Sequence, residues 1–107
     1  MRLVIITAPQ ETAPKLCKKI IEERLAACAN ILPSVRSIYI WGKRVVDEDE
    51  AMVFFKTTDD RVTSLSDRIK ALHEYDVPEI IALQIREDEG NPSYLDWVRE
   101  VVEVSKP

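Results

Sequence analysis

Residues Cys28 to Thr57, CANILPSVRSIYIWGKRVVDEDEAMVFFKT, decide the fold. They read as two extended segments joined near Gly42. A single strand from Ala29 to Trp41 at ~3.3 Å per residue would reach roughly 40 Å, whereas a compact chain of this length has a radius of gyration of about 13 Å. Such a hairpin overhangs its own domain. Alternation puts Ser37, Tyr39 and Trp41 on one face and Arg36, Ile38 and Ile40 on the other, while Met52 to Phe55 is apolar on both. A strand apolar on both faces wants cover on both, and a second subunit is the expected cover for the side that helices leave open. Pro33 is the weak point, because proline removes a ladder donor and breaks or bulges a strand.

The flanks of the hairpin are helical. Upstream, from Thr12, apolar residues at Leu16, Ile20 and Leu25 recur at helical spacing, with Pro14 in the first turn, and this helix is expected to end near Ala26 or Ala27. Downstream, Thr58 precedes Asp59 and Asp60, and Val62, Leu65, Ile69 and Leu72 form the buried stripe of a helix running to about His73. Outside these helices lie two apolar runs. Arg2 to Thr7 is β-rich and stops at Ala8-Pro9, and Glu79 to Ile85 reads as a buried strand after Pro78. Asn91-Pro92 opens a last helix, which Tyr94 and Trp97 are expected to pack. The order βαββαβ plus a C-terminal helix is the ferredoxin-like α+β plan, an antiparallel sheet backed by helices, here as one domain over residues 1–107.

Composition narrows the function. The net charge is −4, and no stripe of Lys or Arg interleaves with aromatics, which disfavours nucleic acid. No apolar run is long enough to span a bilayer and no basic-apolar leader occurs, so a cytoplasmic protein with free thiols at Cys17 and Cys28 is expected. The acidic runs Asp47 to Glu50 and Glu87 to Glu89 read as solvated loops. The two glycines, Gly42 and Gly90, lie outside any strand-to-helix turn that cradles phosphate, and no nucleophile-and-base pair is visible, so no enzymatic activity is expected.

The candidate chemistry is sparse. His73, the single histidine, sits where the second helix gives way to Glu74-Tyr75-Asp76; it is either a ligand for copper or zinc or a cation capping the negative helix end. Cys28 and Glu79 are candidate partners in such a metal site, if the fold brings them close. Lys56, Glu79, Tyr39, Trp41 and Tyr75 make a second set, a cation and a carboxylate on neighbouring strands with amphipathic rings around them; this is either a ligand pocket or a structural Lys56–Glu79 ion pair at a sheet edge or subunit seam.

Several phrases then match one family: T-A-P after the first strand, E-x-R-L-A-A-C-x-N from Glu22 to Asn30, S-x-Y-x-W from Ser37 to Trp41, F-K-T-T from Phe55 to Thr58, and L-H-x-Y-x-V-P-E-I from Leu72 to Ile80. With Tyr94-Leu95-x-Trp97 they cover nearly the whole chain. The sequence resembles the CutA divalent-cation tolerance proteins. The resemblance implies a homotrimer with the hairpin reaching across the seam, and a cytosolic role in tolerance of copper and other divalent ions. It places metal near His73, and an alternative is a small-molecule sensor built like the trimeric PII proteins, with its ligand at the seam. Three departures stand out. His73-Glu74-Tyr75 replaces His-Pro-Tyr, Trp41-Gly42-Lys43-Arg44 displaces the tip glycine by one position, and Ile6 and Leu72 stand where some members carry a thiol and a second histidine.

Overall fold

The computed structural model describes residues 1–103. Among them the elements run β1 (Arg2–Ala8), α1 (Ala13–Glu22), β2 (Cys28–Trp41), β3 (Arg44–Thr57), α2 (Val62–Leu72), β4 (Ile80–Gln84) and α3 (Pro92–Glu103). The strands form one antiparallel sheet in the order β2-β3-β1-β4. This is the expected ferredoxin-like plan, and it places β1 in the interior with β2 and β4 as edges.

The hairpin is continuous. Leu32 pairs with Met52 and Val35 with Glu50, so Pro33 and Ser34 together face Ala51 in a β-bulge rather than ending the strand. Gly42 and Lys43 form a two-residue turn; Gly42 has φ +66° and Lys43 no positive φ, the pattern of a type II′ turn whose twist matches paired strands. β1 pairs with β3 only from Ala51 to Thr57. Beyond that point both arms of the hairpin run unsupported for about seven residues, roughly 23 Å. The chain accordingly extends 45 × 30 × 21 Å with a radius of gyration of 14.6 Å.

One face of the sheet is covered. Val4, Ile6, Val53 and Phe55 pack against Leu16 and Ile20 of α1 and Leu65 and Ile69 of α2, all buried. The opposite face carries Leu3, Ile5, Met52 and Phe54, half-buried, with Ile81, Leu83 and Leu32 each close to half-exposed. α3 builds a second, smaller core at the end of the sheet from Leu95, Val98 and Val102 with Met1 and Ala27. Tyr94 and Trp97 do not join it. They are about two-fifths exposed and lie against each other at 5.7 Å between rings, because the helical stripe of Leu95, Val98 and Val102 turns them outward.

Helices α1 and α2 are shorter than their sequence patterns suggest. α1 stops at Glu22 because Arg24 adopts φ +55°, letting Arg24 N–H reach Ile21 O and Leu25 N–H reach Ile20 O, the two bonds of a Schellman cap. Leu25 therefore closes the helix instead of extending it. α2 starts at Val62 rather than Thr58, after a turn that the Arg61 N–H closes onto Thr58 O at 3.0 Å and whose Asp59 is bound by the terminal amine of Met1 at 2.7 Å and by Arg2 at 3.0 Å. Arg68 on α2 grips Glu23 with two bonds of 2.8 and 2.9 Å, tying the helices together and holding the Glu23 carboxyl below its usual range.

Candidate functional site

The unsupported part of the hairpin leans over the α2–β4 connection, and a groove of about 980 Å³ lies between them. Strand alternation aims Tyr39 and Trp41 of β2 and Glu48 and Glu50 of β3 along its length. Tyr75, Asp76 and Glu79 of the connection form the other wall, with Glu74 beside them. Two phenols clasp the two β3 carboxylates: Tyr75 Oη donates to Glu50 at 2.9 Å and Tyr39 Oη to Glu48 at 2.6 Å. Burial first, then the Glu50 carboxylate, pushes the Tyr75 hydroxyl up, and the hydrogen bond to Glu48 pushes Tyr39 up to about 12. Both rings therefore stay neutral donors across the physiological range.

Glu50 is 4% exposed, and its phenol is the hydrogen bond that accompanies its burial. Tyr75→Phe removes that donor and leaves a buried carboxylate short of a partner. The expected cost is about 1–3 kcal/mol of stability, read as a lower urea midpoint at unchanged slope.

His73 stands behind this wall and is fully engaged. Its Nε2–H donates to the Thr7 carbonyl at 2.7 Å, and its Nδ1 accepts the Tyr75 N–H at 3.1 Å. The ring is the C-cap residue of α2, half-buried, with its centroid 4.7 Å from that of Tyr75. It ties β1 to the turn that presents Tyr75. To ligate a metal through Nδ1 it must first release the Tyr75 amide.

The fold separates the candidate residues into two places. Tyr39, Trp41, Tyr75 and Glu79 line the groove, with His73 adjoining. Lys56 and Cys28 lie elsewhere: they pair across β3 and β2, opposite Leu3 of β1, whereas His73 binds Thr7 four residues further along, about 13 Å away. Lys56 and Glu79 were expected on neighbouring strands, but β1 runs between β3 and β4, and Glu79 precedes Ile80 at the far end, opposite Ile6. No Lys56–Glu79 ion pair appears among the described interactions; Lys56 instead donates to Asn30 and Cys28.

Glu48 and Glu50 escape the sequence reading, which takes residues 47–50 for a solvated loop. They belong to β3, and the run divides by face: Glu48 and Glu50 meet tyrosines, while Asp47 takes a bidentate pair with Arg36 at 2.8 and 2.7 Å. Counting back in twos from Phe54 and Met52 along a strand puts Glu50 and Glu48 on one face and leaves Asp49 and Asp47 on the other. Five carboxylates thus line the groove, from Glu48, Glu50, Glu74, Asp76 and Glu79, and among the described residues no lysine, arginine or histidine lines it. Such oxygen donors suit hard divalent ions better than soft ones. Among the described residues no three His, Cys, Asp or Glu side chains converge tightly enough to hold a metal by themselves.

The family profile described as CutA1 divalent ion tolerance protein matches residues 2–101. The divalent-cation tolerance protein CutA of Thermus thermophilus is 50% identical over 99 residues, covering 92% of this chain and 94% of that protein. Protein CutA of Mus musculus is 37% identical over 99 residues, and there the chain spans only 55% of the relative's length. Among solved structures, the PII-like protein CutA from Nostoc sp. PCC 7120 in apo form superposes with a TM-score of 0.91 at 27% identity, over 95% of this chain and 97% of that one. Relatives carry different compartment names: the rice protein is called chloroplastic and that of Archaeoglobus fulgidus periplasmic. With half its residues shared with a relative of similar length and the profile running over nearly all of it, the chain belongs to the CutA1 divalent ion tolerance family.

Proposed function

We propose that this protein is a homotrimer that binds divalent cations in the groove beneath the hairpin, acting in metal tolerance as a binding protein rather than an enzyme. The observation that carries the reading is the lining of the groove: five carboxylates and no facing cation. A dication entering it relieves mutual repulsion among the carboxylates and gains oxygen ligands. Glu79 and Glu50 are the leading donors. His73 joins them, as copper would require, when the Tyr75 turn opens. Cys28 takes no part in a site within one chain, since it lies at the other end of the sheet.

The trimer completes the groove. The sheet has two free edges, β2 and β4, on opposite sides. Pairing β2 of one chain with β4 of the next is a head-to-tail contact, which closes into a ring and turns the open apolar face inward. The names of the relatives support the metal-tolerance role. A cytoplasmic location belongs to this proposal too; no helix among the described residues is long and apolar enough to cross a membrane.

The PII-like likeness of the Nostoc protein favours a second reading, an organic ligand between Tyr39, Trp41 and Tyr75. With Lys56 outside the groove, such a ligand would be neutral or cationic rather than an anion. Calorimetric titration of reduced, metal-free protein with Cu²⁺, Zn²⁺ and Mn²⁺ separates the two. We expect about one ion per chain at micromolar affinity, roughly −8 kcal/mol, weakened at least about tenfold in Glu79→Gln and unchanged in Cys28→Ser, with His73→Ala lowering copper affinity most. Absence of heat with every metal, or identical heats in wild type and Glu79→Gln, would sink the cation reading.

A further inference from the structure

The far end of the sheet carries a second cluster, independent of the groove. Cys28 and Lys56 are directly opposed on β2 and β3, so their side chains share a face. Lys56 Nζ donates to Cys28 Sγ at 3.6 Å and also to Asn30 Oδ1, which anchors the amine beside the sulfur. Tyr94 of α3 donates to the same sulfur at 3.8 Å, and Cys28 Sγ itself donates to Asn30 Oδ1 at 3.4 Å. Three stretches far apart in sequence thus converge on one half-buried thiol. The other cysteine is a contrast: Cys17 is 4% exposed, makes part of the main core, and burial pushes its thiol up to about 11.

We propose that Cys28 and Lys56 form an oxidative modification site, in which hydrogen peroxide oxidises the thiol and the lysine amine captures the product as a covalent sulfur–nitrogen link between β2 and β3. In the first step the sulfur attacks a peroxide oxygen and the O–O bond breaks. The sulfur becomes a sulfenic acid, losing two electrons to the peroxide, and one water leaves with the thiol proton. In the second step the neutral Lys56 amine attacks that sulfur, the S–O bond breaks, and the hydroxyl leaves as a second water with an amine proton. The sum is thiol plus amine plus peroxide giving a sulfenamide and two waters. Proximity is what favours the second step, which is intramolecular, because the nucleophile already sits 3.6 Å from the sulfur. Asn30 and Tyr94 hold the two atoms there.

The test uses the full chain carrying Cys17→Ala, so that no disulfide can form within one chain. The protein is treated at pH 8 with hydrogen peroxide, with and without dimedone, and read by intact mass and peptide mapping. The expected product is about two mass units lighter than the starting protein, joins the Cys28 and Lys56 peptides, and returns to the original mass with dithiothreitol. In Lys56→Met and Lys56→Arg, each checked for folding by circular dichroism, the link disappears and dimedone labelling of Cys28 rises at least about tenfold. Lys56→Arg keeps the positive charge without the reactive amine, so a link or labelling level equal to wild type in that variant overturns the capture step. Cys28 left unoxidised in the wild type, or joined only to Cys28 of another chain, overturns the site.

Discussion

Leu83→Arg is expected to convert a particle of three chains into single chains, measured by light scattering across micromolar dilution. Leu83 sits on β4 opposite Leu3, on the sheet face that no helix covers, and beside it lie Ile81, Ile5 and Phe54. Ile81 and Leu83 are 47% and 46% exposed in the isolated chain. Taking the remaining exposed half of each such side chain out of water contributes roughly 0.7–1.5 kcal/mol. A guanidinium placed there instead lies level with Lys56, across Leu3, and about six residues along the sheet from Glu50, so it must be desolvated without a carboxylate beside it, a cost that outweighs what it replaces. The same arginine on a lone protomer reaches water freely, so the variant still folds, with a circular dichroism spectrum like that of the parent. A parent that is already monomeric, or a variant that stays trimeric, would contradict both the head-to-tail ring and the reading of this face as buried.

Phe55→Ala is expected to remove about 3–5 kcal/mol, a large share of the stability of a typical domain, which totals only about 5–15 kcal/mol. Phe55 is 0% exposed and is the largest fully buried side chain among the described residues. It stands on β3 between Val4 of β1 and Ala29 of β2, under α1 and α2. Close packing leaves no easy collapse into the vacated volume, since its neighbours Ile6, Ile20, Leu65 and Ile69 are fixed on different elements. Equilibrium urea unfolding at matched protein concentration measures the loss, because the apparent stability of any chain that assembles depends on concentration. A cost below about 1.5 kcal/mol would mean that the two helices settle onto the sheet without it.

The fold was legible in the sequence because its punctuation is local. Pro9, Gly42, Pro78 and Asn91-Pro92 separate runs of distinct period, and their order leaves one topology. Helix ends were less legible because tertiary partners set them: Arg24 takes a left-handed conformation usually left to glycine, and Asp59 is claimed by the amine of Met1, 58 residues away. The groove was half legible. Tyr39, Trp41, Tyr75 and Glu79 were all singled out, since exposed rings and a carboxylate after Val77-Pro78 have no obvious core to enter. Glu48 and Glu50 were hidden by a composition argument, which treats four consecutive acids as solvent-loving whatever their faces. The placing of Lys56 beside Glu79 conflicts with the βαββαβ order itself, for that order already sets β1 between their strands.

The bulge at Pro33 and Ser34 carries a consequence of parity. Leu32 and Val35 are an odd number of residues apart, yet Met52 and Glu50, their partners on β3, are an even number apart. The surplus residue inverts everything downstream on β2: it puts Val35, Ser37, Tyr39 and Trp41 on the side that Leu32 faces, and sends Arg36, Ile38 and Ile40 to the reverse. The same residues paired without the bulge would slip by one along β2 and set Arg36, Ile38 and Ile40 on the groove side, where Ser37, Tyr39 and Trp41 now stand. What the groove is made of is therefore settled some distance away, by whether a count is odd or even.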